Sequence, residues 1–232
     1  MFCDIHTPQG EPFPGDPRTI LKQNLERLAQ SGYTYYVGTE LEFFYFQNDD
    51  SPVLLDKDGY FDQNSGQVSG DLRRDTVLNL AQMGIPVKYS HHEVAPSQNE
   101  IDLQYTDALS MAANVVTAKF VLKELALAKG VYATFMPKPI SGINGSGMHT
   151  YQSLFKGADN AFYSADDPFH LSQDAKYFVA GLLKHAPEIT LVTNQWINSY
   201  KRLASGYEAP LYLSWAHVNQ SCLLYTSDAA DE

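Results

Sequence analysis

The chain has 232 residues, 44% of them apolar and 19% charged, with a formal net charge of −11; such a length can bury one good-sized core or two small ones. The acidic excess excludes the clustered Lys and Arg that nucleic-acid backbones require, and fits cation binding instead. Cys3 and Cys222 lie far apart with no CxxC spacing and no leader read before them, which excludes a disulfide framework or zinc ribbon and gives a reducing, cytoplasmic setting as the expectation.

The opening FCDIHTPQGEPFPGDPR is dense in proline and glycine toward its end and reads as the end of a strand followed by a loop, as though the chain were entered midway. Asp16 is placed to cap a helix with Pro17 at its first position, Leu21, Leu25 and Leu28 form its apolar stripe, and Gly32 closes it. A strand through GTELEFF follows. Glu40 and Glu42 are two residues apart on it, so both carboxylates leave one face. Residues 48–70 read as a long loop containing GYFD, and long loops in compact domains are often functional, which marks Tyr60. A helix over residues 72–83 ends at Gly84, and strands flank the HHE turn after it.

In NEIDLQY, strict alternation puts Ile101, Leu103 and Tyr105 on one side and Glu100, Asp102 and Gln104 on the other. Asp107 then caps a long helix to Lys129, stopped by Gly130. Its most apolar part, residues 120–128, is interrupted by Lys123 and Glu124 and is too short to cross a bilayer. A strand over residues 132–135, the glycine-rich KPISGINGSGMH and helices over 173–185 and 188–194 complete the pattern. It is mixed α+β without regular βαβ alternation. The last eleven residues, CLLYTSDAADE, continue no periodicity and resemble a translated sequencing adaptor, so residues 222–232 are expected to be non-native.

Chemistry concentrates in short blocks: Glu40 and Glu42 in GTELEFF, Glu93 and Glu100 in HHEVAPSQNE, and His149 in NGSGMH. Any one Glu pair is ordinarily a solvated strand face. Together they form an oxygen-rich ligand set with one imidazole, the type that hard divalent ions such as Mg²⁺ and Mn²⁺ prefer. HHEVA lacks the second His of HExxH, and GINGSG lacks the order of a phosphate-binding Walker loop; His91 and His92 are therefore expected to be structural. Asn144 and Gly145 can offer an amide and bare backbone to a polar substrate. Arg202 carries the planar fork that holds carboxylates, with a surface ion pair as the plain alternative, and Glu208 lies on a loop that could close over a site.

In this order the blocks GTELEFF, HHEVAPSQNE, MPKPISGINGSGMH and NSYKRLASGYEAP resemble the catalytic domain of class I glutamine synthetase, over nearly the whole chain. The resemblance implies an incomplete α+β fold, a curved, mostly antiparallel sheet with helices packed on its outer face. It implies a remnant of an N-terminal β-grasp domain over 1–17 and a truncated catalytic domain over 18–221. Glu42, Glu93 and Glu100 would hold one metal, and Glu40 with His149 most of a second, as Mg²⁺ or Mn²⁺. Asn144, Gly145 and Arg202 would bind L-glutamate, Glu208 would assist deprotonation of ammonium, and Tyr60, Tyr105 and Ser153 would line the pocket of the co-substrate ATP.

The implied reaction is ATP-dependent phosphorylation of the glutamate γ-carboxylate followed by attack of ammonia, within a large homo-oligomeric ring for the intact protein. Neither nucleic acid nor membrane is an implied partner. Gln220 and Lys88 depart from the family pattern, at positions where arginine and glutamate are usual. Residues supplied elsewhere in the family fall outside this sequence, so little synthetase activity is expected of the 232-residue chain itself. A γ-glutamyl-amine ligase and a non-catalytic relative are the rival readings. The Asn of NGSGMH speaks against the first, and the retained ligand residues against the second.

Overall fold

The computed structural model describes residues 2–63, 66–217 and 222–225. Within them the first helix, α1 (Pro17–Gln30), starts where the sequence places it. Asp16 accepts from the backbone N–H groups of Arg18 and Thr19 at 3.1 and 3.3 Å, and Gly32 follows at φ +82°. Ahead of it, Asp4 pairs with Arg18 and Lys22 at 3.0 and 2.8 Å. The expected opening strand is reduced to an isolated bridge between His6 and Pro12, as befits a segment with so many prolines.

The main sheet is antiparallel throughout. Strand β1 (Thr34–Phe46) is its axis, and β3 (Gln98–Asp107) and β5 (Thr150–Lys156) pair on either side of it. Outside these lie β2 (Val87–His92) against β3 and β6 (Asp159–Asn160) against β5, while β4 (Tyr132–Thr134) pairs with the end of β1. Helices α2 (Val68–Gln82) and α3 (Ala108–Ala128) cover one face only. There Leu41, Phe43 and Tyr45 of β1 and Ile101 and Leu103 of β3 meet Leu72 and Leu80 of α2 and Met111 and Leu122 of α3. Each such side chain, fully buried, contributes on the order of 1.5–3 kcal/mol. Because the strand period is two, burying the odd-numbered residues of β1 turns Glu40 and Glu42 to the other face.

Several boundaries differ from expectation. Helix α2 begins four residues early, at Val68, so the long loop ends at Gln67. Residues 173–193 form one helix, α4 (Gln173–Thr193), with Pro187 inside it rather than a break. A short α5 (Ile197–Arg202) precedes β7 (Tyr212–Ala216), which pairs in parallel with β8 (Cys222–Tyr225). Part of the segment expected to be non-native is thus ordered as a strand, and residues 226–232 lie outside the described residues.

The clearest correction concerns Tyr105. Opposite Val37 and Thr39 of β1, β3 places Thr106 and Leu103, one residue more than regular pairing needs. This bulge reverses the alternation. Tyr105 therefore leaves the core side on which alternation had put it and is 53% exposed, with its Cβ 3.5 Å from where a side chain on Gly38 would begin.

Candidate active site

The uncovered face of the sheet forms one wall of a cavity of about 440 Å³. Register builds that wall in two rows. Glu42 lies opposite Glu100, which lies opposite His91; Glu40 lies opposite Asp102, which lies opposite Tyr89. Like charges directly across a strand pair repel. Glu93 joins them from the turn after β2, its carboxylate accepting from the Val94 N–H at 2.8 Å.

The second wall comes from the loop that runs into β5. Its backbone continues along β1, where the N–H groups of Glu40 and Glu42 donate to the carbonyls of His149 and Gly147 at 3.0 and 3.3 Å. This lays His149 Nε2 3.2 Å from Glu42 Oε1. Glu42 also accepts from the Gly147 N–H at 2.9 Å and the Gln98 amide at 3.1 Å. The glycines here answer to close approach: a Cβ on Gly145 would lie 2.2 Å from the Pro137 carbonyl oxygen, and one on Gly147 2.6 Å from Arg202 Nη2. Glu208, in the left-handed region at φ +51°, reaches in from a third segment, and the Asn144 amide donates to it at 2.7 Å.

Of the residues marked in the sequence, Glu40, Glu42, Glu93, Glu100, His149, Asn144, Gly145, Glu208 and Tyr60 all line this cavity. Arg202 stands behind the loop against Gly147, outside the lining, with its Nε buried and unpartnered. The surface ion pair is not what it forms among the described residues. Tyr105 and Ser153 lie farther along the same face, around Tyr36: Ser153 pairs with Tyr36 in register, and the rings of Tyr36 and Tyr105 meet edge-on with centroids 6.1 Å apart. Tyr60 is not with them. Its ring sits at the cavity mouth near His91 and feels Glu93 and Glu208. Lys88 has its ammonium 5.2 Å from the Tyr89 ring, and Gln220 lies outside the described residues.

The lining also holds residues not singled out in the sequence, among them Tyr207 and, from the segment expected to be non-native, Tyr225. His91, expected to be structural, lies 3.6 Å from Glu93 and 3.7 Å from Glu100. Asp102 completes the second row, and the parity of NEIDLQY was the signal for it. Tyr151, two residues beyond His149 on the same strand face, donates to Glu40. Gln98 bridges Glu42 and the Gly145 carbonyl, a role that no local pattern announces.

The electrostatics follow from this crowding. Burial pushes the acids of Glu93, Glu100 and Asp102 upward; Asp102 adds to this at Glu100, while hydrogen bonding with Glu100 works against it at Glu93 and Asp102. Burial would raise Glu42 as well, but hydrogen bonding from His149 and Gly147 holds it below the usual carboxylate range. His149 is the mirror case: desolvation disfavours its charged form, and Glu42 more than offsets this, so its pKa is raised. Among the described residues the lining contains six carboxylates and two imidazoles, and neither Lys nor Arg. Such a donor set fits divalent cations: ligand atoms of His91, Glu100 and Asp102 lie within 4.8 Å of one another.

Comparison with known proteins gives the same family. Residues 14–230 match the family described as glutamine synthetase, catalytic domain. The chain belongs to the glutamine synthetase family. It is 50% identical to the glutamine synthetase of Thermotoga maritima and 52% identical to that of Methanosarcina mazei, each across 97% of this chain. The match takes in 52% and 51% of those relatives, so the chain spans about half their length. Among solved structures, glutamine synthetase of Plasmodium falciparum superposes with a TM-score of 0.87 at 33% identity, covering 95% of this chain and 50% of that one. The curved antiparallel sheet with helices on its outer face is therefore the glutamine synthetase catalytic fold.

Proposed function

We propose that this cavity binds two divalent cations, Mg²⁺ or Mn²⁺, and serves the ATP-dependent ligation of ammonia to the γ-carboxylate of L-glutamate. The observation that carries the reading is the pair of facing acid rows with His149 beside them and, among the described residues, no Lys or Arg in the lining. Glu42, Glu93 and Glu100 would hold one ion, and Glu40 with His149 the larger part of the other. Bound there, the ions would neutralise charge on the phosphate oxygens of ATP.

The chain's own residues supply the rest. Asn144 and the bare backbone at Gly145 would fix glutamate, with Arg202 positive behind them. Its γ-carboxylate takes the terminal phosphoryl group of ATP, which turns a poor leaving group into phosphate. Ammonium loses its proton toward Glu208, ammonia attacks the acyl phosphate, and phosphate departs as the amide forms. Tyr105 and Ser153 flank the end of the sheet face where the nucleotide would lie. Tyr60, set among Glu93 and Glu208, belongs by position to the acceptor end of the same cavity. The assembled enzyme would be a cytoplasmic homo-oligomeric ring. No helix among the described residues is long and apolar enough to cross a membrane.

Equilibrium Mn²⁺ binding to the purified chain, followed by electron paramagnetic resonance, tests the metal reading. Two sites are expected, with Glu42→Gln and Glu100→Gln each removing at least one. A chain that takes up no Mn²⁺ contradicts the proposal. Glutamine formation is expected to be slight for these 232 residues, and vigorous turnover would show that groups absent from the sequence are dispensable.

A further inference from the structure

The HHE turn is tied to the long loop by a buried knot that the reaction itself does not use. Asp56 lies in that loop, Ser97 in the turn before β3, and His92 at the end of β2. Asp56 Oδ1 accepts from the Ser97 N–H at 2.8 Å and faces His92 Nε2 at 3.0 Å. Ser97 answers with its hydroxyl: Oγ lies 2.8 Å from the Asp56 N–H and 3.1 Å from the Asp56 carbonyl oxygen. The other ring nitrogen of His92 lies 2.7 Å from the Glu93 carbonyl oxygen. His92 and Ser97 are fully buried, and the Asp56 side chain nearly so.

Two residues here hold unfavourable backbone. Ser97 sits at φ +62° and Phe61 at φ +59°, both without glycine's freedom. Such conformations persist only where the surroundings over-determine them. Ser97 is held by Asp56 and also gives its carbonyl to the Tyr45 N–H at 3.0 Å. The Phe61 N–H donates to the His92 carbonyl at 3.0 Å. The Phe61 ring stacks on His91 with centroids 4.6 Å apart and 10° between planes.

A cation between Asp56, Asp58 and His92 is the competing reading, because their ligand atoms cluster. It is disfavoured: His92 Nδ1 faces the Glu93 carbonyl, Asp56 Oδ1 takes the Ser97 N–H and the Gln67 amide donates to Asp58 at 3.1 Å, while the buried Asp56 Oδ2 is left without a hydrogen-bond partner among the described residues.

We propose that Asp56 and His92 are positioning residues: through the Glu93 carbonyl and the Ser97 N–H they clamp the Glu93 turn and the loop carrying Tyr60 into one unit. The metal arm of this inference rests on the reading of Glu93 as a ligand; the clamp itself does not. Outer partners of this kind commonly carry ten- to a hundred-fold in metal affinity.

The test compares Asp56→Ala, Asp56→Asn and Ser97→Gly in the full chain, by Mn²⁺ binding and by amide hydrogen exchange. Asp56→Ala is expected to weaken Mn²⁺ binding by about tenfold or more. It should also strip protection from residues 92–98 and 54–62 together, leaving α3 unchanged. Asp56→Asn keeps an acceptor for the Ser97 N–H and should fall between Asp56→Ala and the parent. Ser97→Gly keeps that N–H but loses the hydroxyl contacts with Asp56, and should weaken Mn²⁺ binding less than Asp56→Ala. Should Asp56→Ala not fold, weakened Mn²⁺ binding in Asp56→Asn with joint loss of protection in both segments gives the same support. Unaltered Mn²⁺ affinity in the foldable Asp56 variants, or loss of protection in only one of the two segments, overturns the clamp. If the parent chain takes up no Mn²⁺, the ligand reading of Glu93 fails, and the exchange comparison alone decides the clamp.

Discussion

The two walls of the cavity are built by different physics. The sheet wall takes its geometry from hydrogen-bonded register, so each carboxylate of Glu40, Glu42, Glu100 and Asp102 is fixed by the burial of its neighbours on the opposite face. The loop wall has this scaffold only where the carbonyls of Gly147 and His149 bond to β1. Gly145 and Gly147 pack closely against the Pro137 carbonyl and the Arg202 side chain, and Asn144 and Glu208 share one amide hydrogen bond. Position is robust on the first wall and locally negotiated on the second. Charge runs the other way: the sheet wall carries the repulsion, and the loop wall relieves it through His149 and the Gly147 N–H.

Breaking the scaffold beneath the sheet wall should have the largest effect. Phe43→Ala removes a fully buried ring between the two acids' neighbours in the core and should cost about 3–5 kcal/mol in denaturant unfolding. On the loop wall Gly145→Ala sets a Cβ 2.2 Å from the Pro137 carbonyl oxygen, a backbone atom that must shift, and should cost about 1–3 kcal/mol. Mn²⁺-dependent stabilisation should largely survive that shift, while glutamate binding by calorimetry weakens. Were Mn²⁺ stabilisation lost as fully as with Phe43→Ala, the two walls would not be separable.

Smaller changes sharpen the contrast in sign. Glu100→Gln mimics a carboxyl already pushed strongly upward by burial and by Asp102. At pH 8 without metal it should gain about 1 kcal/mol while losing most of the Mn²⁺ response. Opposite movement of two readouts in one variant is hard to obtain from a solvated surface acid. Asn144→Ala, by contrast, deletes one hydrogen bond at the rim and should cost only about 0.5 kcal/mol, with a larger loss in glutamate affinity than in melting temperature.

Legibility in the sequence divides along the same line. Glu40, Glu42 and Glu100 could be placed on one face because strand alternation is a local rule, and the caps at Asp16 and Asp107 were readable for the same reason. Tyr105 escaped it because the bulge between Leu103 and Thr106 depends on the pairing with β1, which β3 alone does not encode. His91 looked structural because its partners Glu93 and Glu100 approach it only after β2 and β3 pair. Gln98, Tyr151 and the Asp56 knot are contacts between distant segments and leave no periodic trace. Family resemblance supplied the order of the blocks, which spacing could not.

Melting the metal-free chain from pH 5.5 to 8, with and without Mn²⁺, tests the central claim most directly. Glu93, Glu100 and Asp102 have folded pKa values raised above their unfolded ones, as do His92 and His149. Groups of that kind stabilise the fold below the unfolded value and lose that contribution as pH rises toward the folded one. The lowered acids Glu42 and Asp56 act only at more acid pH. Without metal the melting temperature should therefore fall as pH rises across this range. Mn²⁺ should raise it by an amount that grows with pH, each bound ion adding about 2.7 kcal/mol of stability at a hundredfold excess over its Kd. A melting temperature that is flat with pH and indifferent to Mn²⁺ would contradict the account, since the acid rows would then need no cation between them.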